Sequence, residues 1–548
     1  MAAPDPTRIA QAIDALGGRF WAWRAAQQPR SSDDIPRIRR PDGWLPRWSP
    51  EDVPVHRATI GSFEADWVAM PVPPRGGDRS ARALLVDHAL LGSAIARVRF
   101  ELDTVRLWAT HPGFYIDQSI GVVFDQLLAP PGFAEARAER IARALEHVPT
   151  VLGWARQNLA DGLVREYAEQ SIHLLEDIDA RVQRSTAALV PMLPQAARER
   201  IASAAQHAAA GLGAFRDWLE ERLADAAPWA PVGQAAVAEF LRTVALNPIP
   251  VEEQLAIGRR ELARAEAQSA ITATGVRAPL LPDIDAQVAR ERADELAIRR
   301  FYVDRGILSQ PDTLRHYLVA PMPDYLEPLA FLGVTDDLTD DDRVDEDGVS
   351  YMPEPRPGLP YFYDANARDP RAGIVHEGVH YQQLALSWRH PDPLRRRYYD
   401  SGPNEGIAFY NEELMLRAGL FDDAPGTRDV IHSFLRLRAL RVLVDLGLAT
   451  GRLSIAEAGR LLADRVPMDE ATALEEAAFF AAIPVQGSTY QIGKTQIEAF
   501  LADTARVQGE AFDLQRFHDG LWLDGNVPIA LQRYELLGLD DELDRIRL

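Results

Sequence analysis

Apolar residues return every three or four positions along most of this chain, while alternating Val/Ile/Thr-rich runs are scarce. That spacing keeps side chains on one face of a helix, so the pattern predicts a mainly α protein. The stretch "DHALLGSAIARVRFELDTVRLWATHPGFY" (Asp87 to Tyr115) is a clear case, and it stops at His111-Pro112-Gly113. Similar patterns predict long helices over 131–160, 162–188, 191–225, 251–269 and 283–303. No fixed-period repeat is present.

After residue 330 the pattern changes. "TDDLTDDDRVDEDGVSYMPEPRPGLPYFYDANARDP" is acidic, then proline-rich, then aromatic. It predicts a solvated loop leading into one or two short strands around 350–363, with "YFYDA" extended. The acidic run does not fit a calcium loop: with Gly348 as the sixth loop residue, Arg343 falls where the first ligand belongs. From 369 the helical pattern resumes, with breaks near Pro391-Asp392-Pro393, Pro403 and Pro484. The expected architecture is one helical unit over 1–548, with an N-terminal lobe (1–330), a second lobe (331–548) and a small antiparallel sheet at a cleft between them.

Composition narrows the function classes. Hydrophobic residues make up 47% of the 548 positions, enough for a large core. A formal net charge of −22 argues against nucleic acid and anionic membranes, both of which need clustered Lys and Arg. With no cysteine, any transition metal must be held by His and carboxylate. Asp5 and Asp14 interrupt the apolar core a signal peptide would need, and no apolar run reaches the roughly 20 residues of a membrane span. A cytoplasmic protein is expected.

The candidate chemistry lies in "IVHEGVHYQQLALSW", residues 374–388. Asp369 and Pro370 suit a helix start, and Pro391 an end. Residues i and i+4 share a helix face, so His376 and His380 can turn both imidazoles toward one ion. Glu377 stands about 100° further round, able to reach a water without being a ligand. Ile374, Val375, Val379, Leu384, Leu386 and Trp388 spread apolar residues around this helix and predict that it is buried. Burying two imidazoles and a carboxylate together is costly unless they are paired or metallated.

A third ligand is required, with one position left open for water. In "SGPNEGIAFYNEELMLRAGLF", Asn404 can cap a helix that opens with Glu405. Glu405 follows His380 by 25 residues, enough for helix, turn and return helix. Glu412 and Glu413 compete with it, although exposed helix charges explain them more cheaply. Spacing alone leaves His390, His432 and His518 open as well.

The chain resembles the bacterial domain-of-unknown-function family numbered 885 nearly end to end. The resemblance rests on ordered blocks: "DHALLGSAIARVRFEL", "HPGFY", "VGQAAVAEFLRTVAL…PVEEQLAIGRREL", "VHEGVHYQQ", "NEGIAFYNEELMLRAGLF", "RALRVLVDLGL", "VQGSTYQIGKTQIEAF" and "FHDGLWLDGNVPIALQR". That family in turn resembles helical zinc peptidases of the carboxypeptidase Taq and angiotensin-converting enzyme types. The resemblance implies an elongated two-lobed fold with a deep cleft, His376, His380 and Glu405 as zinc ligands, and Glu377 as general base. This chain departs from many members in lacking a Pro-Gly insertion within the motif. It also has Leu448-Ala449 where members often carry a histidine.

The expected activity is that of a zinc-dependent metallopeptidase and, within that class, of a carboxypeptidase acting on short peptides. Tyr490 is the candidate oxyanion donor, because the peptidase relatives place a Tyr or His from a late helix over the zinc. Tyr363 is a candidate for the edge on which an extended substrate lies, and Lys494 and Arg533 are candidates for binding a substrate carboxylate. Two alternatives stand beside this reading: a zinc hydrolase of a non-peptide amide, and a non-catalytic helical binding protein. Oligomeric state is left open.

Overall fold

A computed structural model gives the fold and describes residues 5–31, 39–336 and 343–548. Part of the acidic run, 337–342, lies outside the described residues. The protein is mainly helical, and its helices start where capping chemistry directs. Asp5 accepts a hydrogen bond from the Thr7 amide at the head of Pro6–Gln27, and Asp78 caps Arg79–Phe100 through Ala81. The expected helices appear as Glu135–Asn158, Gln195–Arg222, Val251–Thr272 and Ile284–Asp304.

Two long helices are broken where one was expected. Arg79–Phe100 passes into a single wide π turn, Glu101–Val105, and ends at Arg106 in the left-handed region (φ 56°). The 162–188 stretch divides into Arg165–Leu174 and Ile178–Leu189, because Asp177 is also left-handed (φ 52°). Both breaks sit at polar residues that a periodicity argument reads as ordinary helix surface.

The sheet differs from expectation. Strands β1 (Tyr317–Pro321), β2 (Thr335–Asp336) and β3 (Gly348–Met352) lie in the order β1-β3-β2. The longer pairing, β1 with β3, is parallel (Tyr317 opposite Gly348), and only the short β2 runs antiparallel to β3. The chain crosses over through the 3-10 turn Glu327–Leu332 and so returns to β3 in the same direction as β1. All five residues of the central strand are buried. "YFYDA" is not extended: Tyr361–Asn366 is a short helix, with Tyr361 and Phe362 packed on Phe434 at ring-centroid distances of 5.6 Å each.

The largest apolar core gathers the N-terminal helices, but it also takes in Tyr325, Tyr351, Leu394, Tyr398, Leu531 and Tyr534. Packing therefore runs across residue 330. The sheet leans on the histidine helix through Tyr317 and Tyr381, whose ring centroids are 6.2 Å apart. Behind that helix, Ser401–Ala418 crosses Thr489–Gln508 at Gly406 and Gly493. A Cβ at Gly406 would lie 2.8 Å from Gly493 Cα, so only glycine allows this approach. Among the described residues, no helix is long and apolar enough to cross a membrane.

Candidate metal centre

The histidine segment begins with a short turn, Arg371–Gly373. It then widens into a π turn, Ile374–Gly378, and continues as the helix Val379–Ser387. Asp369 accepts a hydrogen bond from the Arg371 amide (3.1 Å), and the Arg371 side chain and Thr427 also bind its carboxylate. A π turn disturbs the regular carbonyl ladder and is frequent at functional sites. Here Asn411, fully buried, donates its side-chain amide to the Val375 carbonyl at 2.8 Å. The π turn carries both His376 and Glu377. His376 faces inward at 6% exposure, whereas Glu377 is exposed.

The helix that supplies the third donor, the Glu405 carboxylate, starts at Ser401 and is capped by Asp400, which accepts from the Gly402 amide (2.8 Å). Asn404 is therefore inside the first turn, buried and bonded to Tyr399, and is not the cap that its position suggested. From this helix Glu405 reaches both imidazoles. Its Oε2 lies 3.2 Å from His380 Nε2 and 3.5 Å from His376 Nε2.

These distances fit a metal cage. Bonds of roughly 2.0–2.1 Å to a tetrahedral ion put neighbouring donor atoms about 3.3 Å apart. Oε2 of Glu405, although buried, accepts no well-directed hydrogen bond. Burial disfavours the charge of this carboxylate, yet the adjacent His380 and His376 hold it well below the usual carboxylate range. Two imidazoles and one carboxylate, with no thiolate, suit zinc and similar divalent ions. Among the described residues, His376, His380 and Glu405 form a group of donor atoms all within 4.8 Å of one another.

The surroundings orient this set. Glu412, with no exposed surface, has Oε1 2.6 Å from His376 Nδ1 and 3.6 Å from the Arg438 guanidinium. The contact is close but not aligned as a hydrogen bond, so Glu412 acts on the ring by its charge, at the place of the carboxylate that commonly accompanies a metal-binding histidine. Burial pulls the His376 pKa down, but Glu405 and Glu412 outweigh it and raise it above the ordinary histidine value. Tyr490, half-buried at the start of Thr489–Gln508, stacks on His376 with ring centroids 6.0 Å apart and planes at 13°. Arg438 and Arg441, from the helix Pro425–Ala449, stand 4.5 and 4.8 Å from the Tyr490 ring. Glu412, Arg438 and Arg441 thus stand behind the donor set, while Glu377, next to His376 in the chain, is exposed and Tyr490 is half-buried.

Several expectations need correction. Glu412 and Glu413 are not exposed helix charges: both are buried, Glu412 against His376 and Glu413 under three cations. Lys494, the only lysine in the chain, is 1% exposed and pairs with Glu413 at 2.5 Å, which leaves it no access to a substrate carboxylate. Arg533 is held by Asp503 and Asp541, each at 2.8 Å. Tyr363 sits on the Tyr361–Asn366 helix, not on a strand edge; burial and the neighbouring Glu377 carboxylate raise its pKa, which puts it beside the exposed glutamate. His390 pairs with Asp524, His432 bonds Gln268 and Thr272, and His518 bonds Tyr410 and Ile307, so none joins the centre. Sequence reasoning missed the roles of Glu412 and Asn411. Their place on the inward face of the Glu405 helix, two turns on, was the available signal.

Comparison with known proteins agrees with the extent of the fold. The profile of a family described as a bacterial protein of unknown function (DUF885) matches residues 38–535. A candidate lipoprotein of unknown function from Shewanella oneidensis has a similar structure, with a TM-score of 0.68 at 16% identity, covering 96% of this chain and 99% of that one. A candidate lipoprotein from Colwellia psychrerythraea is similar at a TM-score of 0.66 and 16% identity, covering 97% and 98%. No curated protein matches the sequence.

Proposed function

Since the chain belongs to the bacterial DUF885 family, whose function is unknown, the activity has to be argued from the site, and we propose that it is a metal-dependent amide hydrolase acting on short peptides. The observation that carries this reading is the convergence of His376, His380 and Glu405, with Glu405 Oε2 3.2 and 3.5 Å from the two Nε2 atoms and the exposed Glu377 next to His376 in the chain. A purely structural site needs no such open carboxylate, and structural zinc usually has four protein ligands.

In this reading His376, His380 and Glu405 would hold a zinc ion, which when bound would supply Lewis acidity. Glu377 takes the proton of the attacking water and returns it to the leaving amine. The Tyr490 hydroxyl donates to the developing oxyanion, and Arg438 and Arg441 beside its ring add positive potential there. Glu412 holds the His376 ring in place. A preference for a free C-terminus is not part of the proposal, because Lys494 and Arg533 are engaged by internal carboxylates.

The test is a digest of a short-peptide mixture by zinc-treated protein, read by mass spectrometry, with chelator and Glu377→Gln controls. Cleavage that chelation and Glu377→Gln both abolish supports the reading. Metal binding without cleavage of any peptide amide would return the protein to the binding-protein alternative.

A further inference from the structure

The same two helices that carry Glu405 and Tyr490 also form one wall of a large cavity. Ser401, Gly402 and Pro403 line it just ahead of Glu405, and Thr489 and Gly493 line it on either side of Tyr490. The opposite wall is aromatic, made by Trp48, Trp108, Phe114 and Phe240 from the N-terminal helices and their connections. The space inside it, about 180 Å³, suits one bulky side chain rather than a length of peptide.

Its polar groups narrow the ligand further. Arg97 and Asp400 pair across the wall at 2.6 Å, and Glu101 is held by Arg24 at 2.8 Å. The charges are therefore matched within the protein, so the cavity gives a ligand charge no net attraction. Two buried amide atoms, in contrast, have no partner. Gln254 donates Nε2 to the Ile249 carbonyl at 2.8 Å, which fixes its orientation and leaves Oε1 as an unused acceptor. Gln486 has an unused Nε2 donor. Both residues line this cavity. Both atoms have almost no accessible surface, so they do not face the open space, and the lining a ligand can touch is chiefly apolar.

We infer that this cavity is the subsite for a substrate residue next to the cleaved bond, and that it selects uncharged peptides bearing a bulky aromatic or aliphatic side chain. The inference rests on the hydrolase reading for its link to the metal centre, but the binding it describes does not need turnover.

The test uses the zinc-treated full-length protein and two capped tripeptides, N-acetyl-Ala-Phe-Ala-amide and N-acetyl-Ala-Asp-Ala-amide. Binding is followed by calorimetry. The phenylalanine peptide should bind at least tenfold more tightly than the aspartate peptide. Ala245→Trp, which fills the cavity, should remove that preference. Phe240→Ala, which deletes part of the aromatic wall, should weaken it several-fold and serves as the check if Ala245→Trp folds poorly. Equal binding of the two peptides, or a preference unchanged in both folded variants, overturns the inference. Preferential binding without cleavage would sustain the subsite and count against the hydrolase reading alone. Cleavage without preference would do the reverse.

Discussion

Glu412→Gln probes the centre without touching a proposed ligand. The side chain has no exposed surface, and its Oε1 lies 2.6 Å from His376 Nδ1. Glutamine keeps the volume and loses the charge, so the imidazole is less firmly oriented and a weaker donor. Loss of such a partner costs about 10–100-fold in metal affinity, or roughly 1.4–2.7 kcal/mol. Arg438 at 3.6 Å already offsets part of the carboxylate charge, which puts the expected loss near the middle of that range, about 30-fold or ~2 kcal/mol. Competition against a fluorescent zinc chelator measures it directly, with circular dichroism to verify folding. Affinity within twofold of wild type would mean that Glu412 does not orient His376. Complete loss, as expected for His376→Ala, would make Glu412 itself a ligand and contradict its role as a partner behind the imidazole.

Three further outcomes are expected. Tyr490→Phe should lower turnover by about 10²–10³ with little change in peptide binding, and normal turnover in single-turnover assays would make Tyr490 a packing residue only. Glu413→Leu strands the buried Lys494 ammonium and should cost roughly 3–5 kcal/mol in urea unfolding, with most of it recovered in Glu413→Leu/Lys494→Met; a single-variant loss below about 1 kcal/mol would contradict the pairing. His88 is 1% exposed, neither ring nitrogen has a hydrogen-bond partner, and burial lowers its pKa to about 4. Since the unfolded chain then takes up this proton first, stability should fall as pH drops from 6.5 toward 4, by up to about 3 kcal/mol; His88→Leu should flatten that part of the profile, and an unchanged slope would refute the assignment.

What the sequence could convey follows from the range of each interaction. The i, i+4 spacing places His376 and His380 on one face whatever the rest of the chain does. The helix that the apolar spacing predicts from Asp87 begins earlier, at Arg79, where Asp78 caps it through Ala81, a signal that apolar spacing does not carry. Glu405 was singled out by a loop length and a helix pattern, and the structure does bring it to both histidines. The environment of charges was not legible. Glu412, Glu413 and Lys494 look like helix surface until the Gly406–Gly493 crossing buries them. Nothing local in "YFYDA" separates strand from helix; its packing on Phe434 decides. The π turn at His376 is likewise fixed from outside, where Asn411 takes up the Val375 carbonyl.

The hydrolase reading depends on His376, His380 and Glu405 holding a metal ion. The most direct test is the zinc content of purified full-length protein, loaded with zinc, dialysed against buffer and read by plasma mass spectrometry beside His376→Ala. A single tightly held ion per wild-type chain, and almost none in the variant, is the expected result. A wild-type protein that dialyses free of zinc, or a variant that holds as much as wild type, would contradict it.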